Sequence, residues 1–428
     1  MLRGARQVGK THAVRVLGQR FDQFVEINLE SNQAARKIIE KDLDVQRIIL
    51  QLSELLQIKI EPGSTLLFFD EIQNVAGAIT ALRYFYELMP ELHVIAAGSL
   101  LDFAIEQVGV PVGRVSTLYM YPVSFIEFLV ALGHTQWAGS LLNYDITKPL
   151  SDPLHEKLLD LVGAYIAIGG MPSAINEWLA TSTSRAVKAV HADLIYAYEQ
   201  DFGKYATKHQ IKYLHLLFAT SVEQLSNKFM YARVGQYQKR ELSPALDLLQ
   251  KAGLVYKVMQ SAGQGIPLGA QARPDYFKII FLDVGLSQAV LQLDISSWFI
   301  DPLAAFINKG EIIEAFVGQE LLAYSDPIRK ESLYYWDNQV RTSQAEVDFL
   351  IQLKEQVIPI EVKAGINKRI KSMHIFLDSH PNSSYGIRFW AGNGQLEDRV
   401  HSYPLYLVAR PIISNNEYMY QAIASLVS

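Results

Sequence analysis

The chain has 428 residues, of which 50% are hydrophobic and 19% are charged, and its formal net charge is -5. This composition excludes a disordered chain. The net charge also excludes a positive potential over the whole protein that would attract nucleic acid, although a local basic patch could still bind it. Cysteine is absent, which excludes disulfides, thiol catalysis and thiolate metal sites, and no apolar run reaches the roughly 18 residues of a membrane helix. We therefore expect a cytoplasmic protein, without a membrane partner, that folds into about two to four domains.

A phosphate-binding pattern lies at the N-terminus, in the stretch MLRGARQVGKTHAV. Gly4, Gly9, Lys10 and Thr11 fit G-x-x-x-x-G-K-[ST]. In this pattern backbone N–H groups surround phosphates, the lysine reaches the β and γ oxygens, and the hydroxyl binds Mg²⁺. Only residues 1–3 precede the pattern. We therefore expect the first strand of the sheet to be missing or a stub, and the chain to start at an internal or misassigned position.

Three apolar runs follow the loop and predict the strands of a parallel sheet, FVEINLES, STLLFFDEIQ and LHVIAAGSLL. The second run ends in Asp70 and Glu71, a pair that suits metal binding through water and the activation of an attacking water. The third run ends in Gly98 and Ser99, where a polar side chain suits contact with a γ-phosphate. Because ligands bind beyond the carboxyl ends of parallel strands, we expect these residues to converge on the loop. The alternative for the acidic pair is a helix cap after an ordinary buried strand.

Residues 120–215 have apolar side chains at three- to four-residue spacing and predict a run of helices, interrupted at GGMP. We interpret this run as a helical lid. Tyr196, Tyr198 and Phe202 lie within it, and we interpret them as core residues rather than as a platform for stacked bases.

The next segment predicts a winged helix, with three helical stretches followed by the strands AGLVYKV and DYFKIIFLD. The third helix follows QKRELS and would read DNA, with Lys239, Arg240 and Lys251 at the phosphates. Few basic residues lie on that helix. A structural or partner-binding role is therefore favoured over DNA binding.

The last quarter contains two strands in hairpin order, EVDFLIQL and QVIPIEVKA, and the pattern D-x12-E-x-K. Asp348 is the first carboxylate, and Glu361 and Lys363 are two residues apart, so that both side chains emerge on one face of the strand. Two carboxylates that hold a divalent metal, with a lysine beside the bound water, suit phosphodiester hydrolysis. The pattern resembles the core of restriction-endonuclease-like nucleases. The alternative is a solvent-facing pair of opposite charges.

A helix upstream of these strands, KGEIIEAFVGQELLAY, is amphipathic and would bring a further carboxylate to the metal. We assign this role to Glu314, which would then bind the metal together with Asp348 and Glu361. Glu311 and Glu320 lie on the same helix and stay open as alternatives.

Six segments spread over nearly the whole chain carry a family resemblance, GARQVGKT, LLFFDEIQ, VIAAGSLL, PVGRVSTLYMYPVSFIEFL, YIAIGGMPSAINEWL and FKIIFLDVGL. They resemble the prokaryotic AAA-type ATPases that carry a C-terminal domain of unknown function with a nuclease-like end. The resemblance implies that the nucleotide is ATP and that Lys10 and Thr11 bind it with Mg²⁺. It also implies that Asp70 and Glu71 form the acidic pair and that Ser99 lies in the sensor position.

The same resemblance implies a candidate role for Arg114, as the arginine that senses the nucleotide or completes a site. Arg114 would act within its own chain or across a subunit boundary, and the oligomeric state stays open. The alternative is a surface arginine in the loop VPVGRV.

These patterns predict an α/β protein with four parts. The parts are a P-loop AAA-type ATPase domain with a parallel sheet at 1–125, a helical lid at 126–215, a winged-helix-like module at 216–290, and a restriction-endonuclease-like α/β domain at 291–428. The predicted function is a Mg²⁺-dependent ATPase whose turnover moves or gates the nuclease-like end on DNA. One alternative is a non-enzymatic switch in which bound ATP sets docking onto a partner protein. Another is a nuclease with a degenerate ATPase half.

Overall fold

The computed structural model describes residues 1–109, 113–338, 345–365, 370–414 and 416–427. They form two compact units. The first unit consists of Met1–Tyr121, Lys251–Gly253 and Pro327–Lys330, and the second of Pro122–Gln250, Leu254–Asp326 and Glu331–Ser428. Each unit combines helices with β-strands, in agreement with the predicted α/β class.

The first unit contains short strands and helices in alternation. Its strands are β1 (Leu2–Arg3), β2 (Gln23–Asn28), β3 (Thr65–Asp70), β4 (His93–Ala96) and β5 (Leu118–Tyr119). Its helices are α1 (Lys10–Gly18), α2 (Gln33–Lys41), α3 (Val45–Leu56), α4 (Ala76–Leu88) and α5 (Leu101–Val108).

A three-stranded parallel sheet, in the order β2-β3-β4, forms the centre of the first unit. Every residue of β3 is buried, because helices cover both faces of the sheet. On one face Leu67 and Phe69 pack with residues of α2, α3 and α4. On the other face Leu66 and Phe68 pack with Val14 of α1. This alternation is typical of a parallel sheet with helices on both faces.

The first strand, β1, is two residues long and carries the phosphate-binding loop. It pairs in parallel with β5, and Leu2 forms a parallel bridge with Ala97, directly after β4. β1 therefore lies between β4 and β5. The strand is present as a stub, which is one of the two forms that the sequence predicts.

The second unit contains most of the helices and one large sheet. Its helices are α6 (Phe125–Ala131), α7 (Thr135–Leu142), α8 (Asp152–Ile168), α9 (Pro172–Thr181), α10 (Ser184–Tyr205), α11 (Lys208–Glu223), α12 (Lys239–Lys251, whose last residue falls in the first unit), α13 (Val284–Val290), α14 (Ser297–Ile300), α15 (Pro302–Asn308), α16 (Gly310–Ala323), α17 (Lys371–Ser379), α18 (Ala409–Ile413) and α19 (Glu417–Val427). Its strands are β6 (Val255–Ser261), β7 (Ala272–Phe281), β8 (Leu333–Asp337), β9 (Glu346–Leu353), β10 (Gln356–Lys363), β11 (Gly386–Trp390), β12 (Gln395–Glu397) and β13 (Val400–Pro404). Within the described ranges no single helix has the length and apolarity to cross a membrane, although α8 and α9, which meet at 117°, meet that test as a bent pair.

The sheet of the second unit has eight strands in the order β12-β13-β11-β10-β9-β8-β6-β7. β6 and β7, the strands predicted for a wing, pair with each other in antiparallel fashion, and β6 also pairs in parallel with β8. They therefore belong to the same sheet as β9 and β10, the strands predicted for the nuclease-like core. Hydrogen bonds between β6 and β8 are the physical link between these two parts of the chain.

Helices cover both faces of this sheet near β9. Phe349 lies against Gly318 of α16, and Leu350 packs with Met373 and Phe376 of α17. Consecutive residues of a strand point to opposite faces, so α16 and α17 lie on opposite sides of the sheet.

Helix α10 shows which of the aromatic residues predicted as core are buried. Tyr198 and Phe202 are buried in the helical part of the second unit, together with Leu194. Tyr196 is 64% exposed, so its prediction as a core residue is wrong. The reason is helical geometry. Leu194, Tyr198 and Phe202 are spaced four residues apart and share the buried face, whereas Tyr196 is two residues from that series and lies on the opposite face.

A buried carboxylate joins two distant segments of the second unit. Asp283 is fully buried and precedes α13, where its side chain accepts a hydrogen bond from Leu286 N at 3.0 Å. The same side chain accepts a hydrogen bond from Gly170 N at 2.6 Å, in the turn between α8 and α9. Gln319 of α16 donates to Tyr165 of α8 at 2.9 Å and lies 3.5 Å from Asp283 Oδ2. The Asp283 carboxylate is thus the shared acceptor for Gly170 N and Leu286 N.

We expect Asp283→Ala to lower the free energy of unfolding of the second unit by about 2–4 kcal/mol, because it leaves two buried N–H groups without an acceptor. Urea unfolding followed by tryptophan fluorescence measures the change. Asp294→Ala is the matched control, since Asp294 is exposed, and its loss of stability should be clearly smaller. Equal losses in the two variants would contradict the role of Asp283.

Candidate functional site

The phosphate-binding loop of the first unit depends on two glycines with positive φ. Gly4 has φ 143° and Gly9 has φ 102°, and Gly9 directly precedes α1. A side chain at Gly4 would collide with the carbonyl oxygen of Met120. Glycine is therefore required for the loop to turn from β1 into the helix N-terminus, where backbone N–H groups suit an anion.

Lys10 is the buried cation of this loop, with 7% of its surface exposed. Its Nζ donates hydrogen bonds to the carbonyl oxygens of Gly4 and Ala5 at 2.9 and 2.7 Å. Burial lowers the pKa of Lys10 to about 8, although the carboxylates of Glu71 and Asp70 act in the opposite direction. The ammonium group is thus held by the carbonyl oxygens of its own loop.

Thr11, in the first turn of α1, contacts Asp70 at the end of β3, as the sequence predicts for the loop and the acidic strand end. The Thr11 hydroxyl donates to Asp70 Oδ2 at 3.1 Å. Asp70 also accepts hydrogen bonds from Glu71 N at 3.0 Å and from Asn28 Nδ2 at 3.5 Å. Hydroxyl and carboxylate oxygens are the donors that Mg²⁺ prefers, so these residues fit the ion implied by the resemblance.

Glu71 follows β3 in a left-handed backbone conformation, with φ 50° and ψ 44°. Such a conformation is uncommon for a residue with a side chain and is found at functional sites. Gln73 donates a hydrogen bond to the Glu71 carboxylate, and a side chain at Gly98 would collide with the amide of Gln73. The ends of β3 and β4 therefore meet at Gln73, and Ser99, which is 8% exposed, is the next residue after Gly98.

Gln73 is a site residue that the sequence analysis missed. The only signal was its position two residues after Glu71, since side chains two apart in a tight turn are close together.

Arg114 was predicted as an arginine that senses the nucleotide or completes a site. Its side chain forms an ion pair with Glu87 at the end of α4, at 3.2 Å, and its role at a nucleotide stays a prediction.

We expect the affinity for ATP to fall by about tenfold per pH unit above about pH 8, because the free protein then loses the Lys10 proton that phosphate oxygens require. Below pH 8 this lysine is charged and should contribute no pH dependence. Calorimetric titration between about pH 7 and about pH 9.5 measures the effect. In Lys10→Arg the cation stays charged, so any affinity that the variant keeps should not follow this slope. A constant affinity of the unchanged protein up to about pH 9.5 would contradict the prediction.

The second unit brings the predicted carboxylates and lysine of β9 and β10 together. Two residue steps on β8 correspond to three on β9, between Val347 and Leu350, so β9 forms a bulge that includes Asp348. Bulges redirect side chains beside functional sites. Asp348 Oδ2 accepts a hydrogen bond from Val362 N at 2.7 Å, and Lys363 Nζ lies 2.5 Å from Glu361 Oε1.

A buried lysine that the sequence analysis missed lies among these carboxylates. Lys278 of β7 is 2% exposed, and its Nζ lies 2.6 Å from Glu346, 3.0 Å from Glu314 and 3.9 Å from Asp348. Lys278, Glu314, Glu346 and Asp348 are called the lysine–carboxylate cluster below. Glu346 was missed as well, although its position two residues before Asp348 on one strand was a signal.

Two glutamates at or beside this cluster, Glu314 and Glu361, have raised pKa values. Burial and the neighbouring Asp348 raise the pKa of Glu314 to about 8, against the effect of Lys278. Burial and Asp348 also raise the pKa of Glu361 to about 7, against the effect of Lys363. Burial opposes the charged form of Lys278, but Glu314, Asp348 and Glu346 outweigh it and raise the pKa of the lysine.

The other candidates on α16 have different roles. Glu320 is buried and accepts hydrogen bonds from Phe125 N at 3.0 and 3.2 Å, so it caps α6. The backbone oxygen of Glu311 accepts a hydrogen bond from Ser226. Glu314 is therefore the residue of this helix that joins the cluster, as assigned from the sequence.

The predicted metal ligands of the second unit do not form a metal site. Across the described ranges, no group of three acidic or histidine side chains has the geometry to hold a metal ion. The physical reason is that Lys278 lies between the carboxylates of Glu314 and Asp348, while Lys363 pairs with Glu361. The residues present do not fit a divalent cation in this arrangement.

The helix predicted to read DNA is α12, and two of its predicted phosphate contacts are paired with acids. Lys239 forms an ion pair with Asp275 at 2.5 Å, and Lys251 pairs with Glu106 at 2.6 Å. These contacts reduce the positive charge that the helix offers to phosphates. DNA binding by Lys239, Arg240 and Lys251 stays a prediction.

Three families match parts of the chain. Residues 1–129 match a family described as an AAA domain. Residues 159–297 and 309–408 match two families that are each described as a domain of unknown function, DUF8612 and DUF4143. No curated protein matches the chain. The first match agrees with the loop, the acidic strand end and the parallel sheet of the first unit.

Proposed function

Because residues 1–129 match an AAA domain, we propose that the first unit binds ATP with Mg²⁺ and hydrolyses it. The observation that carries this proposal is the hydrogen bond between Thr11 of the loop and Asp70 of β3. The bond brings the loop residue Thr11, which is predicted to bind nucleotide, to the acidic end of β3. Such a meeting of loop and strand end is what phosphoryl transfer requires.

Lys10 would change partners when ATP binds. In the free loop its ammonium group contacts the carbonyl oxygens of Gly4 and Ala5. Phosphate oxygens carry full negative charge and are stronger acceptors than carbonyl oxygens. The lysine therefore turns from the loop to the β and γ phosphates, and binding ATP favours its charged form.

Thr11 and Asp70 would hold the magnesium ion. When bound, Mg²⁺ neutralises negative charge on the phosphate oxygens. The two side chains are already in contact at 3.1 Å, so little rearrangement of the chain is needed to bring both oxygens to the ion.

Glu71 would accept the proton of the attacking water. Its left-handed conformation and the hydrogen bond from Gln73 fix the carboxylate after the end of β3. Ser99, which follows Gly98 beside Gln73, would contact the γ-phosphate. Gln73 is a positioning residue in this scheme.

We expect Lys10→Ala to abolish ATP binding, because it removes the cation that contacts the phosphates. Glu71→Gln should keep ATP binding but lower turnover by about 10²–10⁴-fold, because it removes only the general base. Calorimetry measures binding, and phosphate release with Mg²⁺ measures turnover. Lys37→Ala and Glu54→Gln are matched controls, since both residues are exposed on helices of the same unit. Each control should keep both activities. Equal turnover in Glu71→Gln and the unchanged protein would contradict the proposed base.

The same assay separates this function from its alternative, a nucleotide-gated switch that does not depend on hydrolysis. The switch requires tight ATP binding, slow turnover and no effect of Glu71→Gln. Duplex and single-stranded DNA are added in parallel, because stimulation by DNA is the result that would support coupling to a nucleic acid. The nuclease-like roles predicted for Asp348, Glu361 and Lys363 stay predictions.

A further inference from the structure

We propose that Lys278 is the resident cation of the lysine–carboxylate cluster and that this site takes no divalent cation while Lys278 is in place. The proposal concerns the second unit and does not depend on ATP hydrolysis in the first. It assigns a role to a lysine of β7 that lies outside the predicted D-x12-E-x-K pattern.

The contacts of Lys278 support this role. Its Nζ lies within 3.0 Å of both Glu314 and Glu346 and 3.9 Å from Asp348. The three carboxylates come from α16 and from two positions of β9, so the one ammonium group joins a helix to a strand. A divalent cation bound by the same oxygens would lie about 2.0–2.6 Å from each of them. That position overlaps the ammonium group, so the two cations cannot occupy the cluster together.

The burial of Lys278 keeps it in the cluster. The side chain is 2% exposed, and the Nζ also lies 5.4 Å from the ring centre of Tyr335 on β8. Its backbone pairs with Val258 of β6 in the sheet. An ammonium group in such a place has a large desolvation cost unless oxygen atoms surround it. Movement of Lys278 out of the cluster would leave the carboxylates without this partner.

Lys228 offers a comparison within the same structure. Its Nζ lies 2.6 Å from Asp337 and 3.4 Å from Glu346, so it also contacts the cluster, but the side chain is 49% exposed. Water replaces such a partner readily, and exposed ion pairs contribute little to stability. Lys228 is therefore a cation at the edge of the cluster, whereas Lys278 lies inside it.

The test uses the full chain without nucleotide and Mn²⁺ as the probe, with bound Mn²⁺ measured by electron paramagnetic resonance and thermal stability measured in parallel. In Lys278→Met we expect one additional Mn²⁺ per chain, bound at least about tenfold more tightly than any Mn²⁺ of the unchanged protein. We also expect Mn²⁺ to raise the melting temperature of this variant. Lys228→Met is the matched control and should show neither effect. Adding Glu346→Gln to Lys278→Met should remove the new site.

Two further variants keep the test decisive if Lys278→Met does not fold. Lys278→Arg keeps the positive charge and should bind no additional Mn²⁺. Glu346→Gln alone should bind the same amount of Mn²⁺ as the unchanged protein, because that protein has no metal at the cluster to lose. The proposal is overturned if Glu346→Gln loses a Mn²⁺ that the unchanged protein binds, or if folded Lys278→Met binds no more Mn²⁺ than Lys228→Met.

Discussion

A lysine that is buried as a cation needs oxygen atoms around its ammonium group, and this requirement shapes both candidate sites. Without such partners the free-energy cost of removing the charge from water exceeds the free energy gained by packing the side chain. Lys10 in the first unit and Lys278 in the second are both almost fully buried. The loop after β1 and the junction of α16 with β9 are arranged so that oxygen atoms reach these two side chains.

The two lysines differ in the kind of oxygen that surrounds them. Lys10 is held by two neutral carbonyl groups of its own loop, and its pKa is lowered to about 8. Carbonyl dipoles stabilise a cation only in part, so a ligand with full negative charge competes well for it. Lys278 is held by carboxylates, which raise its pKa. One lysine is therefore ready to exchange partners with a ligand, and the other is saturated by the protein.

The sequence was sufficient for the phosphate-binding loop and for the acidic end of β3, where the pattern is local. The spacing of Gly4, Gly9 and Lys10 predicted the loop, and the apolar run that ends in Asp70 predicted β3 with its acidic end.

Contacts between distant segments could not be predicted in the same way. Lys278 lies 68 residues before Glu346 in the numbering, and no periodic pattern connects them. The same holds for the contact of Gln73 with Gly98, which follows β4. β6 and β7 read as a local hairpin, which is correct, but their membership of the large sheet depends on β8, whose position only tertiary packing decides.

The parallel pairing of β6 with β8 has a consequence for the order in which the chain folds. β6 ends at Ser261 and β8 begins at Leu333, so β6 and β7 are synthesised before β8, the strand that pairs with β6. During that interval one edge of the hairpin has unpaired N–H and C=O groups, which is the state in which strands associate with other chains. Pairings between distant segments also form slowly, because a long loop must close first. The sheet of the second unit can therefore close between β6 and β8 only after the chain has been synthesised through β8.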